Sequence, residues 1–245
     1  TGDLTTGGSG TITVVATAKD VTLADGAIYT AAGGAVAITG ATNVALGQVV
    51  NPSGTTNVTA TAGLISDATA AEGSGNENVS GTTITFSSVT GVGATGAAND
   101  VDVAGTTLVA SASGTGGIYL AETDGVALGV ISTSAGVINV TAGGAVTTSA
   151  NVTAAGGTLG ITGVGITNTN TLTGDANGIT LDAGTGTLTT AAGTIVTSGG
   201  NGAITLIADT AIVTTDSGRA TPVDAGTGTV TLRQSTNAKT IGLAV

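Results

Sequence analysis

The sequence predicts an all-β chain wound into a parallel β-solenoid, with about 20–26 residues per coil and no helices. Three observations support this fold class. The stretch Asp182–Thr190 is nearly repeated at Asp224–Leu232, and each copy is a glycine-containing turn followed by alternating threonine and aliphatic residues. Similar units recur along the whole chain, as in other repeat architectures. No segment has the 3.6-residue periodicity of an amphipathic helix.

The predicted strands begin at glycine-rich corners and alternate between aliphatic and polar residues. They lie at Gly8–Val14, Gly34–Ile38, Gly54–Ala60, Gly81–Phe86, Gly116–Leu120, Gly136–Val140, Gly157–Ile161, Gly178–Leu181, Gly202–Leu206 and Gly228–Leu232. Second strands are predicted between them at Val21–Leu23, Asn43–Leu46, Val126–Leu128, Val146–Thr148 and Ala211–Thr214. Period-two alternation directs Ile12 and Val14 inward and the neighbouring threonines outward.

Composition indicates a long, thin core of small aliphatic side chains. The chain has 40% hydrophobic residues but only two tyrosines, one phenylalanine and no tryptophan. Tandem immunoglobulin-like sandwiches also alternate, but they usually bury a tryptophan or tyrosine in each unit. The solenoid is therefore favoured, and we expect residues 1–245 to form one continuous domain. Because the chain begins at Thr1, we expect a mature product or a segment of a longer repeat protein.

The charge balance disfavours several classes of partner. The formal net charge is −11, with four lysines and arginines in total. Binding to nucleic acid depends on a dense basic surface, and an anionic membrane would repel this chain for the same reason. No apolar run is long enough to span a bilayer as a helix, so we expect no membrane insertion.

Catalytic chemistry has few candidate residues. Without cysteine there is no disulfide, thiol nucleophile or thiolate metal site, and without histidine there is no side chain that ordinarily titrates near neutrality. Some β-helical proteins act on polysaccharides, but the carboxylates here are scattered along the chain. We therefore expect no enzyme activity and no cofactor.

Two stretches interrupt the regular recurrence of corners and strands and are predicted to be inserted loops. The longer, Asp67–Ser80, contains Asp67, Glu72 and Glu77, which are the candidates for contact with a ligand. The shorter is Val92–Asp102, where Asp100 and Asp102 form a weak candidate for a Ca²⁺ site. The alternative for this pair is a solvated corner.

Other acidic residues and the threonines have simpler interpretations. Asp182 and Asp224 open the repeated turns, and we expect each carboxylate to accept a hydrogen bond from its own turn backbone. Pairs such as Thr83 and Thr85 would form an ice-binding face if they stacked regularly from coil to coil. Their spacing in the sequence is irregular, so ice binding is a minor alternative.

The C-terminal third resembles a known family. Gly226–Leu243, GTGTVTLRQSTNAKTIGL, is similar to the repeats of filamentous-haemagglutinin-type exoproteins of Gram-negative bacteria, and the detailed similarity covers Gly178–Leu243. The resemblance implies a right-handed β-helix, an extracellular or cell-surface location and no catalytic residues.

These observations predict a structural role. The leading expectation is a non-catalytic shaft of an extracellular fibre, which either continues in a longer chain or associates end to end with copies of itself. The main alternative is an adhesin that contacts a glycan or another cell-surface ligand through its loops. A polysaccharide-active enzyme is a further, weaker alternative.

Overall fold

The computed structural model of the chain describes residues 2–70, 74–190, 201–213, 222–237 and 239, together with the backbone of residues 196–198. The described residues form strands and turns, and no helix occurs among them, as predicted. The first eleven strands are β1 (Leu4–Thr6), β2 (Ile12–Ala16), β3 (Val21–Thr22), β4 (Ile28–Ala31), β5 (Val36–Gly40), β6 (Val44–Leu46), β7 (Gln48–Val50), β8 (Thr55–Ala60), β9 (Leu64–Asp67), β10 (Val79–Ser88) and β11 (Gly91–Val92).

The remaining sixteen strands continue the same pattern to the last described coil. They are β12 (Val101–Ala112), β13 (Ile118–Glu122), β14 (Val126–Thr133), β15 (Ile138–Ala142), β16 (Val146–Thr148), β17 (Val152–Ala154), β18 (Leu159–Thr162), β19 (Ile166–Asn168), β20 (Leu172–Gly174), β21 (Ile179–Asp182), β22 (Thr187–Thr190), β23 (Val196–Ser198), β24 (Ile204–Ile207), β25 (Thr210–Val213), β26 (Val223–Asp224) and β27 (Val230–Arg233).

The strands stack into a parallel β-solenoid of about ten coils. Coils 1 to 3 contain three strands each, from β1 to β9. Coil 4 is β10–β11, coil 5 is β12–β13 and coil 6 is β14–β15, because longer strands turn a corner without a break. Coils 7 to 10 again contain three strands each, from β16 to β27. The register advances by 20 residues from Ile118 to Ile138 and by 26 from Ile204 to Val230, within the predicted coil length.

The longer insertion lengthens one coil. The register advances by 20 residues from Tyr29 to Val49 but by 30 from Val49 to Val79. The extra residues lie between β9 and β10, which confirms an insertion here, although the predicted bounds Asp67–Ser80 are too wide because Asp67 belongs to β9 and Val79 and Ser80 to β10. The ladder on either side is uninterrupted, because β10 pairs with β7 and β8 below and with β12 above.

The stacking changes between coils 4 and 6, which the sequence did not predict. Strand β13 stacks on two different strands: Ile118 pairs with Val92 of β11, and Leu120 pairs with Val101 of β12. Residues 93–100 lie between those two strands as the second inserted loop. Strand β14 then pairs with both β16 and β17, so that one long strand is divided into two shorter strands in the next coil. A register irregularity between Leu108 and Ala110 accompanies the division.

The bore is filled by inward aliphatic residues in rows along the axis. Ile118, Ile138, Leu159 and Ile179 occupy equivalent positions in successive coils and are almost completely buried. Phe86, the only phenylalanine, is fully buried, and its register partner in the next coil is the smaller Ala110. Burial of each such large side chain contributes roughly 1.5–3 kcal/mol. The predicted inside and outside assignment is confirmed along this core.

The two copies of the repeated turn have the same local structure. The Asp182 carboxylate accepts a hydrogen bond from the Gly184 amide at 2.9 Å, and the Asp224 carboxylate accepts one from the Gly226 amide at 2.7 Å. Gly184 and Gly226 have φ values of 54° and 60°, a region that glycine adopts without steric cost. The expectation that each aspartate binds its own turn is confirmed.

Candidate functional site

The longer insertion returns to the shaft through a buried asparagine. Asn78 is fully buried, and its amide nitrogen donates to the Asp67 carboxylate at 2.6 Å and to the Leu46 carbonyl at 3.1 Å. Its amide oxygen accepts a hydrogen bond from the Asp102 amide at 2.9 Å. These partners belong to coils 2, 3 and 5, while Asn78 itself precedes the first strand of coil 4. One side chain therefore connects four successive coils.

Asp67 is the first of the predicted contact residues, and its carboxylate organises the start of the insertion. It accepts hydrogen bonds from the Thr69 amide at 2.7 Å and from the Thr69 hydroxyl at 2.8 Å, in addition to the bond from Asn78. This is the turn-forming role that aspartate commonly has. Asp67 is thus held by the fold, whereas Glu72, the second predicted residue, lies outside the described residues.

Glu77, the third predicted contact residue, anchors the insertion to the shaft. Its carboxylate accepts hydrogen bonds from the Gly75 amide and from the Thr123 hydroxyl, both at 2.9 Å. The Gln48 side chain donates to the Gly75 carbonyl at 3.0 Å. The described part of the insertion is therefore attached to coil 3 and to the turn that follows coil 5.

The predicted calcium ligands lie at the end of the second insertion. The neck of this loop is closed by a 2.7 Å hydrogen bond from the Ala94 amide to the Asn99 carbonyl. Asp100 precedes β12, and Asp102 lies within it with 8% of its surface exposed. Ca²⁺ usually takes six to eight oxygen ligands. No group of three or more acidic, histidine or cysteine side chains suited to a metal occurs among the described residues, and the calcium site stays a prediction.

A buried carboxyl group that sequence analysis missed lies beside this region. Glu122, at the end of β13, is 3% exposed, and both carboxyl oxygens lie 3.0–3.1 Å from the Gly105 amide nitrogen, which donates to them. Burial, the largest cause, and the negative charge of Asp124 together raise the pKa of Glu122 to about 8, against the lowering effect of backbone hydrogen bonds. The group is therefore largely protonated at neutral pH.

We call the acidic residues of this region, Asp67, Glu77, Asp102, Glu122 and Asp124, the acidic seam. Of these, Asp124 lines a groove of about 250 Å³, together with residues such as Pro52 and Gly105. The seam's hydrogen bonds join coils and insertions, which is a bracing role. The signal for Glu122 was present in the sequence, because alternation in Ile118–Glu122 places it at an inward position.

Comparison of the chain with protein-family models, with curated proteins and with solved structures found no match. The structure supports the broad class of a β-helical repeat protein. The resemblance to filamentous-haemagglutinin-type repeats remains a prediction about a narrower class. Among the described residues there is no helix with the length and apolar character that a membrane crossing would require.

Proposed function

We propose that the chain is a non-catalytic shaft segment of a bacterial extracellular or cell-surface fibre. The observation that carries this proposal is the continuous parallel ladder, in which 27 strands form one sheet around one aliphatic bore. At about 4.8 Å per coil, ten coils give a rod of about 48 Å. Each coil contacts its neighbours directly, so length can be added by adding coils. The extracellular location rests on the family resemblance.

End-to-end association is the second part of the proposal. Among the described residues, the strands of the first coil pair only with the second coil, and those of the last coil pair only with the coil before it. Exposed apolar side chains lie in these two coils: Leu4 and Val15 at one end, and Ile212 and Val230 at the other, are 42–57% exposed. Unpaired strand edges are templates for pairing with another chain. A head-to-tail contact would extend without closing.

Electron microscopy and sedimentation of the purified chain test the proposal. We expect narrow rods, and a distribution of lengths that shifts upward with protein concentration. Ile212→Lys should reduce this association at least tenfold, whereas Val130→Lys, a matched change at a 54% exposed valine in the middle of the shaft, should not. Rods that stay monomeric at all concentrations would refute end-to-end association. Compact particles, or turnover of a polysaccharide, would refute the shaft itself.

An adhesin is the second candidate. It is favoured by the hydrogen bonds that attach Gly75 and Glu77 of the longer insertion to Gln48 and Thr123, because these bonds restrict that part of the loop. Preorganised loops lose less conformational entropy on binding. Binding of the chain to cells, lost when residues 68–77 are replaced by a short glycine–serine turn, would support this candidate.

A further inference from the structure

The shaft has one aromatic side chain that is not used by the core. Of the three aromatic residues, Phe86 is fully buried and Tyr29 packs against the core cluster. Tyr119 instead projects from the outer side of β13. Its ring lies against the backbone of Gly117, where an added Cβ would come 2.7 Å from the Tyr119 Cε2 atom. A side chain at Gly117 would displace the ring, so the glycine leaves room for the ring in this position.

Two adjoining hollows share Tyr119 as a wall. One, of about 380 Å³, follows the stacked glycine corners at Gly117, Gly136 and Gly157. The other, of about 360 Å³, follows the outer sides of β15, β18 and β21. Val137 and Thr158 also line both hollows. Each volume is within the range of pockets that bind small molecules, about 300–1,000 Å³.

The second hollow is a groove along the shaft axis with a regular polar floor. Tyr119, Asn139, Gly160 and Thr180 are register partners in successive coils. Three steps of about 4.8 Å place Thr180 about 14 Å from Tyr119 along the axis. Gly160 contributes no side chain, and the Asn139 amide oxygen lies over it, 3.0 Å from where a Cβ would stand. Thr95, from the second insertion, lines the same groove.

The residues that line the two hollows indicate which class of ligand would fit. The residues around both hollows carry amide, hydroxyl and small apolar groups, and apart from the Tyr119 phenol none is ionisable. The chain as a whole has a charge of −11, so an anionic polymer would be repelled. Amides and hydroxyls both donate and accept hydrogen bonds, which matches the hydroxyl groups of a sugar. An aromatic ring offers a large apolar surface for the C–H face of a sugar ring.

We propose that this groove binds a neutral glycan chain lying along the shaft, with one sugar ring packed on Tyr119 and the following sugars hydrogen-bonded to Asn139 and Thr180. The site adds an activity to the shaft and does not depend on the shaft being passive or on end-to-end association. It also differs from the predicted contact residues, since it lies beside the second insertion and not on the longer one.

Titration calorimetry of the full chain with hexasaccharides tests the proposal. The probes are neutral β-1,4-glucan, β-1,3-glucan, mannan and galactan hexamers and one anionic uronate hexamer. We expect at least one neutral hexamer to bind and the uronate hexamer not to bind. Tyr119→Ala should weaken binding of that neutral hexamer at least tenfold, Tyr119→Phe should weaken it less than threefold, and Asn139→Ala should weaken it severalfold.

The control is Thr141→Ala, two residues further along β15 on the same outer face but outside both hollows. It should leave the affinity unchanged, and all variants should keep the wild-type β-sheet circular dichroism and unfolding midpoint. The proposal is overturned if no neutral hexamer binds the wild-type chain, if Tyr119→Ala binds as well as wild type, or if the uronate hexamer binds more tightly than the neutral ones.

Discussion

The Thr123 hydroxyl donates a 2.9 Å hydrogen bond to the Glu77 carboxylate, joining residues 46 positions apart in the chain. The same Glu77 oxygen accepts a hydrogen bond from the Gly75 amide. A glutamate in a glycine-rich insertion thus forms both a local turn and a contact with a later coil. An insertion attached in this way is part of the solenoid surface.

Removal of the Thr123 hydroxyl should loosen the insertion without unfolding the shaft. Thr123→Val keeps the side-chain shape but loses the hydrogen bond to Glu77, and one such bond contributes about 0.5–1.5 kcal/mol. We expect faster amide hydrogen exchange at Gly75 and a small decrease in the urea midpoint. Glu77→Gln, which retains an acceptor oxygen, should have a weaker effect. Unchanged exchange at Gly75 in Thr123→Val would contradict the proposed anchoring.

Glu122 should make stability fall as pH rises. Its pKa is raised from 4.5 to about 8 by burial, so between these values the folded chain holds a proton that the unfolded chain releases. The stabilisation is complete below about pH 4.5 and is lost as pH rises through 8. We expect the unfolding free energy to decrease by on the order of a few kcal/mol across this range, measured by urea denaturation at pH 4.5 to 9.

The control for this prediction is Glu122→Gln, which keeps an oxygen acceptor for the Gly105 amide but does not titrate. Its stability should vary less with pH between 6 and 9 than that of the wild-type chain. Parallel pH profiles for the two proteins would show that Glu122 is not the group responsible.

The alternation of aliphatic and polar residues allowed the core to be predicted. Successive side chains of a strand point to opposite faces, and this does not depend on which strand it pairs with. The change of stacking around β13 could not be predicted in the same way. That stacking depends on which neighbouring coil the chain joins after each corner. The corner residues do not alternate between aliphatic and polar types, so their sequence does not indicate it. The buried polar residues Asn78 and Glu122 were missed because asparagine and glutamate are ordinarily exposed. The burial of Asn78 depends on partners in other coils, whereas alternation in β13 already places Glu122 at an inward position.

The repeated turn also shows that the sequence predicts local structure but not which strands pair. Asp182 and Asp224 form equivalent turns, yet they lie in different stacks: Asp182 pairs with Ile207, and Asp224 pairs with Thr197. Sequence similarity therefore identified a local turn that is used at two different corners of the coil. It did not identify the register, because the advance is not constant: it is 20 residues from Ile118 to Ile138 and 30 from Val49 to Val79.

Acidic substitutions at two adjacent residues of β24 should differ greatly in their effect on stability. Ile204 is fully buried and pairs with Ile179 below and Val230 above. Ile204→Asp places an unpaired charge in the bore, at a cost of several kcal/mol, and should increase hydrogen exchange in β21 and β27 as well as in β24. Thr205→Asp lies on the outer face and should change stability by about 0.5 kcal/mol. Equal effects would overturn the inside and outside assignment.

Asn78 should be the most sensitive polar position, because its side chain contacts groups from three other coils. In Asn78→Ala the Asp67 carboxylate, the Leu46 carbonyl and the Asp102 amide each lose one hydrogen bond. The carboxylate and the carbonyl keep hydrogen bonds from other donors. Each lost hydrogen bond contributes about 0.5–1.5 kcal/mol, and we expect a total loss of about 2–4 kcal/mol by urea denaturation. Asn57→Ala, at an exposed asparagine on the outer face of β8, is the matched control and should be nearly neutral.

Asn78→Asp tests whether the hydrogen bonds of Asn78 stabilise the fold, or only the space that its side chain fills. Asn78→Asp preserves the shape of the side chain but places a carboxylate where the amide nitrogen lies 2.6 Å from an Asp67 oxygen. Two carboxylates at this distance cannot both ionise without a large repulsion, so one should hold a proton with a raised pKa. The variant should therefore be closer to wild-type stability at pH 4 than at pH 7. Equal destabilisation at both pH values would show that Asp67 does not face residue 78 in the folded chain.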